Sequence, residues 1–205
     1  MSLFPLFLKL RDRLSVVVGG GSVAESKIPG LLAAGARVRV VAPSVTDRIA
    51  AWTRYGGVSW IAKEFEPHDL DGCFLVIAAT SAPGVNELVY READARGILC
   101  NAVDDPGRCH FYYGAIVQRG DLQIAISTNG KSPALAQRLR RELESQFGPE
   151  YEAWLEWLGT ARQVLRAGEN DPELGKKLLH LLASREMFER FPREVTRPLQ
   201  KGEAT

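Results

Sequence analysis

A chain of 205 residues that is 45% hydrophobic and 25% charged is long enough to bury a core and to hold a nucleotide-sized domain plus a smaller one. Its 26 Lys and Arg against 25 Asp and Glu give a formal charge of +1, which excludes any global attraction to nucleic acid or to an anionic membrane surface. The apolar start Leu3-Phe4-Pro5-Leu6-Phe7-Leu8 is broken by Pro5, runs into Lys9, Arg11 and Arg13, and lacks a small-residue cleavage site. With no apolar run of about 18 residues or more, the expectation is a cytoplasmic protein without a membrane span. Cys73, Cys100 and Cys109 are odd in number and form no C-x-x-C pair, which points to reduced thiols and to neither a disulfide framework nor a structural metal site.

The first half alternates β-branched runs with helix-length segments. Leu14-Ser15-Val16-Val17-Val18, Val38-Arg39-Val40-Val41, Val58-Ser59-Trp60-Ile61 after the Gly56-Gly57 turn, Phe74-Leu75-Val76-Ile77-Ala78 and Ile98-Leu99-Cys100-Asn101-Ala102 read as strands of a parallel sheet with crossover helices. From Phe111 the rhythm changes: residues 111–117 and 122–127 read as antiparallel strands around Arg119-Gly120. Ser132 is an N-cap with Pro133 at the first helical position, and Leu135, Leu139 and Leu143 recur at helical spacing until Gly148. Tyr151, Trp154, Leu155, Leu158, Ala161 and Leu165 mark a second helix, and Leu174, Leu178, Leu181 and Leu182 a third, separated by Asn170-Asp171-Pro172. The tail after Pro192 is expected to be loose. The expected architecture is therefore α/β: a Rossmann-type parallel-sheet domain over 1–110, a small strand-and-helix segment over 111–148, and an α-helical C-terminal domain over 149–205.

The first strand runs directly into Gly19-Gly20-Gly21-Ser22-Val23-Ala24, a G-x-G-x-x-A pattern. Gly19 permits the tight turn, Gly21 lets backbone approach a pyrophosphate, and Ala24 lets helix and strand pack closely. The amides of Ser22 and Val23 then open a helix whose dipole favours an anion. A glycine triplet alone is a tight turn; strand before and helix after make this one a nicotinamide-dinucleotide turn. Two features depart from the pattern. Pro29-Gly30 falls inside the first helix, where proline removes a donor and costs on the order of 3 kcal/mol, so a kinked or short helix is expected. The end of the second strand reads Ala42-Pro43-Ser44 in place of the usual carboxylate. Ser44 suits a ribose hydroxyl but does not repel a 2′-phosphate, and only Arg39 and Arg48 are candidates to attract one, so the residues leave NAD and NADP both open. Ala79 and Thr80, after the fourth strand, leave room for the cofactor, while Thr80 or Ser81 equally suits the cap of the next helix.

Asp104, in Asn101-Ala102-Val103-Asp104-Asp105-Pro106, follows a parallel strand at the carboxyl edge of the sheet; by itself the string Asp104-Asp105-Pro106-Gly107 is also a turn sequence. Cys109-His110 suggests a metal, but adjacent residues of a strand point apart and no partner ligand is evident. His68 and His180 read as surface residues.

The ordered set Pro5-Leu6-Phe7, Leu10-Arg11-Asp12-Arg13, the glycine turn, Val41-Ala42-Pro43, Ala78-Ala79-Thr80, the Asp104 segment and Ala125-Ile126-Ser127-Thr128-Asn129-Gly130-Lys131-Ser132-Pro133 resembles the precorrin-2 dehydrogenase/sirohydrochlorin ferrochelatase family of siroheme synthesis. The resemblance covers residues 3–148 strongly and the helical remainder loosely. It implies NAD-dependent oxidation of precorrin-2 to sirohydrochlorin, in some members with ferrous iron insertion, on an intertwined homodimer built through residues 111–148. It implies NAD as cofactor, held at Gly19, Gly21, Ser22, Val23, Pro43, Ser44, Ala79 and Thr80. It places the essential aspartate on Asp104, with Asp105 as the fallback, and the tetrapyrrole on Ser127, Thr128, Asn129, Gly130, Lys131 and Ser132. Lys131, Arg138, Arg140 and Arg141 form the most basic stretch, which suits a polyanionic ligand and equally a solvated helix face. Gly114 stands where the family pattern has proline. Only fifty-seven residues follow Gly148, so the methyltransferase domain of some relatives is expected to be absent and precorrin-2 to come from a separate enzyme. The competing reading is an NAD(H)-binding regulatory module without catalysis, which expects a carboxylate after the second strand and no role for Asp104.

Overall fold

The computed structural model describes residues 3–168 and 171–192. The tail expected to be loose after Pro192, and Asn170 of the expected interhelical boundary, lie outside the described residues. The chain divides into two compact units between Tyr113 and Gly114.

The first unit is built on five short apolar strands: β1 (Leu14–Val18), β2 (Arg37–Val41), β3 (Val58–Ile61), β4 (Leu75–Ala78) and β5 (Leu99–Ala102). They form one parallel sheet in the order β3-β2-β1-β4-β5. The crossovers are α1 (Ser22–Ala33), α2 (Asp47–Arg54) and α3 (Pro83–Ala95), with 3-10 turns over Pro67–Leu70 and Pro106–Arg108. Alternate residues of each strand face opposite helices. Val17, Val38, Val40 and Ile77 pack with Ala24, Ile28 and Leu31 of α1 and Ile49 of α2, whereas Val16, Val18, Val76 and Ala78 pack with Val89 and Ala93 of α3. Burial on both faces explains why β1 and β4 read as continuous apolar runs.

α1 is neither short nor broken at Pro29: it runs for 12 residues through it. Pro29 is exposed, so the one acceptor it strands, the Glu25 carbonyl, can turn to water, while Ala24, Ile28 and Leu31 hold the opposite face in the core. Burial of that stripe outweighs the proline cost.

The parallel unit also extends past its last strand. Asn101 and Cys109 form an antiparallel bridge, the His110 N–H donates to the Cys100 carbonyl at 2.8 Å, and the Asn101 amide donates to the Phe111 carbonyl at 2.8 Å. Residues 109–111 are thereby stitched to β5, which is why the expected strand from 111 does not begin there.

In the second unit, β6 (Ala115–Arg119) pairs antiparallel with β7 (Leu122–Ile126), and Gly120 takes a positive φ of 54° in the turn. The helices are α4 (Pro133–Gln146), α5 (Glu150–Gly168), α6 (Pro172–Leu182) and the short α7 (Arg185–Glu189). The Ser132 hydroxyl accepts the Leu135 N–H at 3.2 Å, fixing the start of α4 as its sequence requires. Tyr151 and Trp154 of α5 stack on Phe188 of α7 with ring centroids 4.3 and 4.8 Å away. No helix among the described residues is long and apolar enough to cross a membrane.

Candidate functional site

A sheet of order 3-2-1-4-5 reverses its winding between β1 and β4, and a crevice opens outside the carboxyl ends of its strands. Here that crevice is a cavity of about 960 Å³. Its floor is the glycine turn. The Gly19 N–H donates to the Val41 carbonyl at 3.0 Å, and the Ala79 N–H to the Val18 carbonyl at 2.8 Å, so the ends of β1, β2 and β4 converge on one point.

The three glycines are required for different reasons. Gly19 has φ +118°, and a Cβ there would stand 2.3 Å from the Ala79 carbonyl oxygen. Gly20, to which the sequence pattern assigns no role, has no room either: its Cβ would meet the Ser44 carbonyl oxygen at 1.9 Å. Gly21 differs, since a Cβ on it would meet nothing within 4 Å. It borders open cavity. That open cradle is what close approach of a pyrophosphate to backbone needs.

Two helix starts complete it. The N-caps of α1 and α3, Gly21 and Ala82, line the cavity, and neither has a side-chain cap. By contrast Thr46, which opens α2 in the same cavity, accepts the Ile49 N–H on its own hydroxyl. Ser22 and Val23 therefore carry uncapped amides at the positive end of α1, bordering the cavity. These residues fit a dinucleotide pyrophosphate.

The predicted cofactor residues Gly19, Gly21, Ser22, Val23, Pro43, Ser44, Ala79 and Thr80 all line this one cavity, and so does Asp104. Thr80 is fixed by Asn86: the Asn86 Oδ1 accepts both the Thr80 hydroxyl at 2.8 Å and the Thr80 N–H at 3.2 Å, and the Asn86 amide donates to the Thr80 carbonyl at 3.0 Å. Neither Thr80 nor Ser81 caps α3, whose N-cap is Ala82; the Thr80 hydroxyl instead accepts the Ala82 N–H.

Asp104 is exposed and holds a left-handed φ of 62°, a conformation that aspartate tolerates better than most residues. Asp105 is outside the cavity lining, and its carboxylate pairs with Arg108. Cys109 and His110 serve the stitch to β5. The Cys109 thiol donates to the Ala102 carbonyl at 3.1 Å; His110 accepts the Cys100 N–H on Nδ1 at 3.1 Å, which leaves its Nε2 to donate to Asp94 at 3.1 Å. Among the described residues no group of three or more His, Cys, Asp or Glu is placed to hold a metal ion.

Sequence reasoning missed Glu64, Phe65, Val85 and Val103, which also line the cavity. Glu64 and Asp104 are its two charged residues, and no Lys or Arg among the described residues lines it. Arg39 lies within β2 opposite Ser59, and Arg48 pairs with Glu25 at 3.4 Å and stacks over Trp52. Neither reaches the cavity lining.

The remaining candidates belong to the second unit. Ser127 Oγ accepts the Asn129 N–H at 3.1 Å, and Thr128 Oγ1 accepts the Ser132 N–H at 3.2 Å. Asn129 and Gly130 carry positive φ of 53° and 75°, and the Lys131 N–H closes the turn on the Thr128 carbonyl at 3.0 Å. Of the basic stretch, Arg138 and Arg140 pair with Glu142 and Glu144 one helical turn on, as a solvated helix face does. Gly114 packs against β7: a Cβ on it would stand 2.9 Å from the Ile126 carbonyl oxygen.

Two family models match the chain. One described as putative NAD(P)-binding covers residues 6–115, and one described as sirohaem biosynthesis protein central covers residues 119–146. Among curated relatives, siroheme synthase 1 of Aeromonas salmonicida is 42% identical over 82% of this chain and 36% of its own length. Siroheme synthase 1 of Cronobacter sakazakii is 48% identical over 71% and 31%. The chain thus spans about a third of the length of these relatives. Among solved structures, SirC, a precorrin-2 dehydrogenase, is similar with a TM-score of 0.77 at 27% identity, covering 92% of this chain and 100% of that one.

Proposed function

We propose that this chain, which belongs to the putative NAD(P)-binding family, oxidises precorrin-2 to sirohydrochlorin with NAD. The observation that carries the reading is the meeting of the glycine turn and Asp104 in one cavity.

The oxidation removes two hydrogens from a reduced macrocycle, one with its electron pair and one as a proton. When bound, the nicotinamide supplies the hydride acceptor. The chain supplies the rest. Gly21 and the amides of Ser22 and Val23 would hold the pyrophosphate, Pro43 and Ser44 would border the adenosine ribose, and Ala79 and Thr80 would leave room beside it, all of them lining the one cavity. Asp104, exposed at the cavity and held by its φ on the turn after β5, accepts the proton. The same carboxylate is suited to take pyrrole N–H protons when ferrous ion is the second substrate.

Precorrin-2 is a polycarboxylate, and its acid groups are assigned to the loop from Ser127 to Ser132. There the hydroxyl oxygens of Ser127, Thr128 and Ser132 accept backbone N–H groups and keep their own protons to donate, and Lys131 adds a positive charge. A homodimer in the cytoplasm is the proposed state. Its support is the two-stranded sheet β6-β7, both of whose outer edges are unpaired among the described residues.

The test is anaerobic addition of precorrin-2 and NAD, following the absorbance of sirohydrochlorin. Wild type should turn over, and Asp104→Ala should lose about 100- to 10,000-fold in rate with NAD affinity unchanged. No turnover by wild type defeats the proposal; full activity of the variant defeats the role of Asp104. Adding ferrous ion to preformed sirohydrochlorin reads chelation separately.

A further inference from the structure

The end of β2 reads Ala42-Pro43-Ser44 and has no acid for the ribose diol, yet the cavity that Pro43 and Ser44 line does contain one. β2 and β3 pair in parallel with Val41 opposite Ile61, and the Ala42 N–H donates to the Ile61 carbonyl at 3.2 Å. The two strands therefore end level with each other at the carboxyl edge of the sheet, where the cavity lies. Three residues after Ile61 comes Glu64, exposed and lining the same cavity as Pro43 and Ser44.

We infer that Glu64, on the turn after β3, supplies the carboxylate that β2 lacks and makes the site select NAD over NADP. The inference rests on the dinucleotide reading above and deepens it.

The surrounding charges support this assignment. Its neighbour Lys63 does not line the cavity; it pairs with Glu66 and, at 3.1 Å, with the buried Asp69. Arg48 is held by Glu25 and Trp52. No ion pair or hydrogen bond engages the Glu64 carboxylate among the described residues. A ribose diol meeting this face gains a charged acceptor, with the strength of a charge-assisted hydrogen bond. A 2′-phosphate meets a like charge and no Lys or Arg in the lining.

The test is equilibrium binding of NAD and NADP, by calorimetry, to wild type, Glu64→Gln and Glu64→Arg, with circular dichroism to verify folding. Wild type should bind NAD at least about 30-fold more tightly than NADP. Glu64→Gln should narrow that ratio about 10-fold, chiefly by tightening NADP, and Glu64→Arg should bring the two affinities level or invert them. Dinucleotide binding with the same ratio in all three proteins overturns the role of Glu64 and leaves the dinucleotide reading standing. Failure of folded wild type to bind either dinucleotide overturns both.

Discussion

Gly20 lies so close to Ser44 that a β-carbon on it would stand 1.9 Å from the Ser44 carbonyl oxygen, while the neighbouring Gly21 has only open space at that position. Adjacent glycines therefore do separate work. Gly20 lets the loop after β2 close on the turn after β1, a contact also made by the Thr46 N–H on the Gly20 carbonyl at 3.0 Å.

Alanine substitutions should separate the two roles. Gly20→Ala forces backbone against backbone and is expected to cost about 3 kcal/mol, lowering the melting temperature by about 10 °C. Gly21→Ala should cost no more than about 1 kcal/mol, the penalty of alanine at the N-cap of α1, and weaken NAD about 10-fold or more, since its methyl occupies the pyrophosphate approach. Thermal unfolding and NAD titration of both variants check this; equal stability of the two would contradict the geometry.

Much of the parallel unit was readable because each strand carries its own signal: an apolar run bounded by turn residues. The phosphate turn was readable for the same reason, with strand, glycines and helix contiguous in Leu14 to Ala33. What depended on partners was not. Pro29 reads as a break, but the stripe Ala24, Ile28, Leu31 is held by the sheet and the helix continues. Phe111-Tyr112-Tyr113 reads as the start of a strand, but Asn101 binds that segment and β6 begins at Ala115. Glu64 could not be read at all, because only the assembled sheet brings the turn after β3 to the cavity that Ser44 lines.

Asn101 is 7% exposed and its side chain ties the return segment at Phe111 to β5, across the loop that carries Asp104. Asn101→Leu leaves the Phe111 carbonyl without this donor and should cost about 1–3 kcal/mol. Because the ends of the Asp104 loop are what it fixes, the turnover rate should fall several-fold more than NAD affinity. Denaturant unfolding and steady-state rates read the two effects; a rate unchanged in a destabilised variant would confine Asn101 to a structural role.

Arg119 performs a similar service in the second unit. Its guanidinium donates to the Phe147 carbonyl at 2.8 Å and to the Glu144 carbonyl at 3.1 Å, satisfying acceptors at the C-terminus of α4 from the end of β6. Arg119→Ala is expected to destabilise by about 1–2 kcal/mol. Arg119→Lys should recover less than half, because one ammonium does not reproduce the planar fork. Full recovery by lysine in urea melts would mean that charge alone matters.

Cys100 gives a pH dependence whose sign can be fixed in advance. It is fully buried in β5, and burial raises its thiol from 9.0 to about 12. Between those values the unfolded thiol ionises and the folded one does not, so the unfolded state binds fewer protons and stability falls as pH rises. The contribution is complete below pH 9 and is lost as pH climbs toward about 12, by up to about 1.4 kcal/mol per pH unit. Other groups titrate in that range, so the informative quantity is a difference. Wild type should lose stability more steeply than Cys100→Ala from pH 9 to pH 10.5, by about 1–2 kcal/mol over the interval, in parallel urea titrations. Identical slopes would show that the thiol ionises as freely in the folded chain as in the unfolded one, contrary to its burial between Val76 and the α3 face.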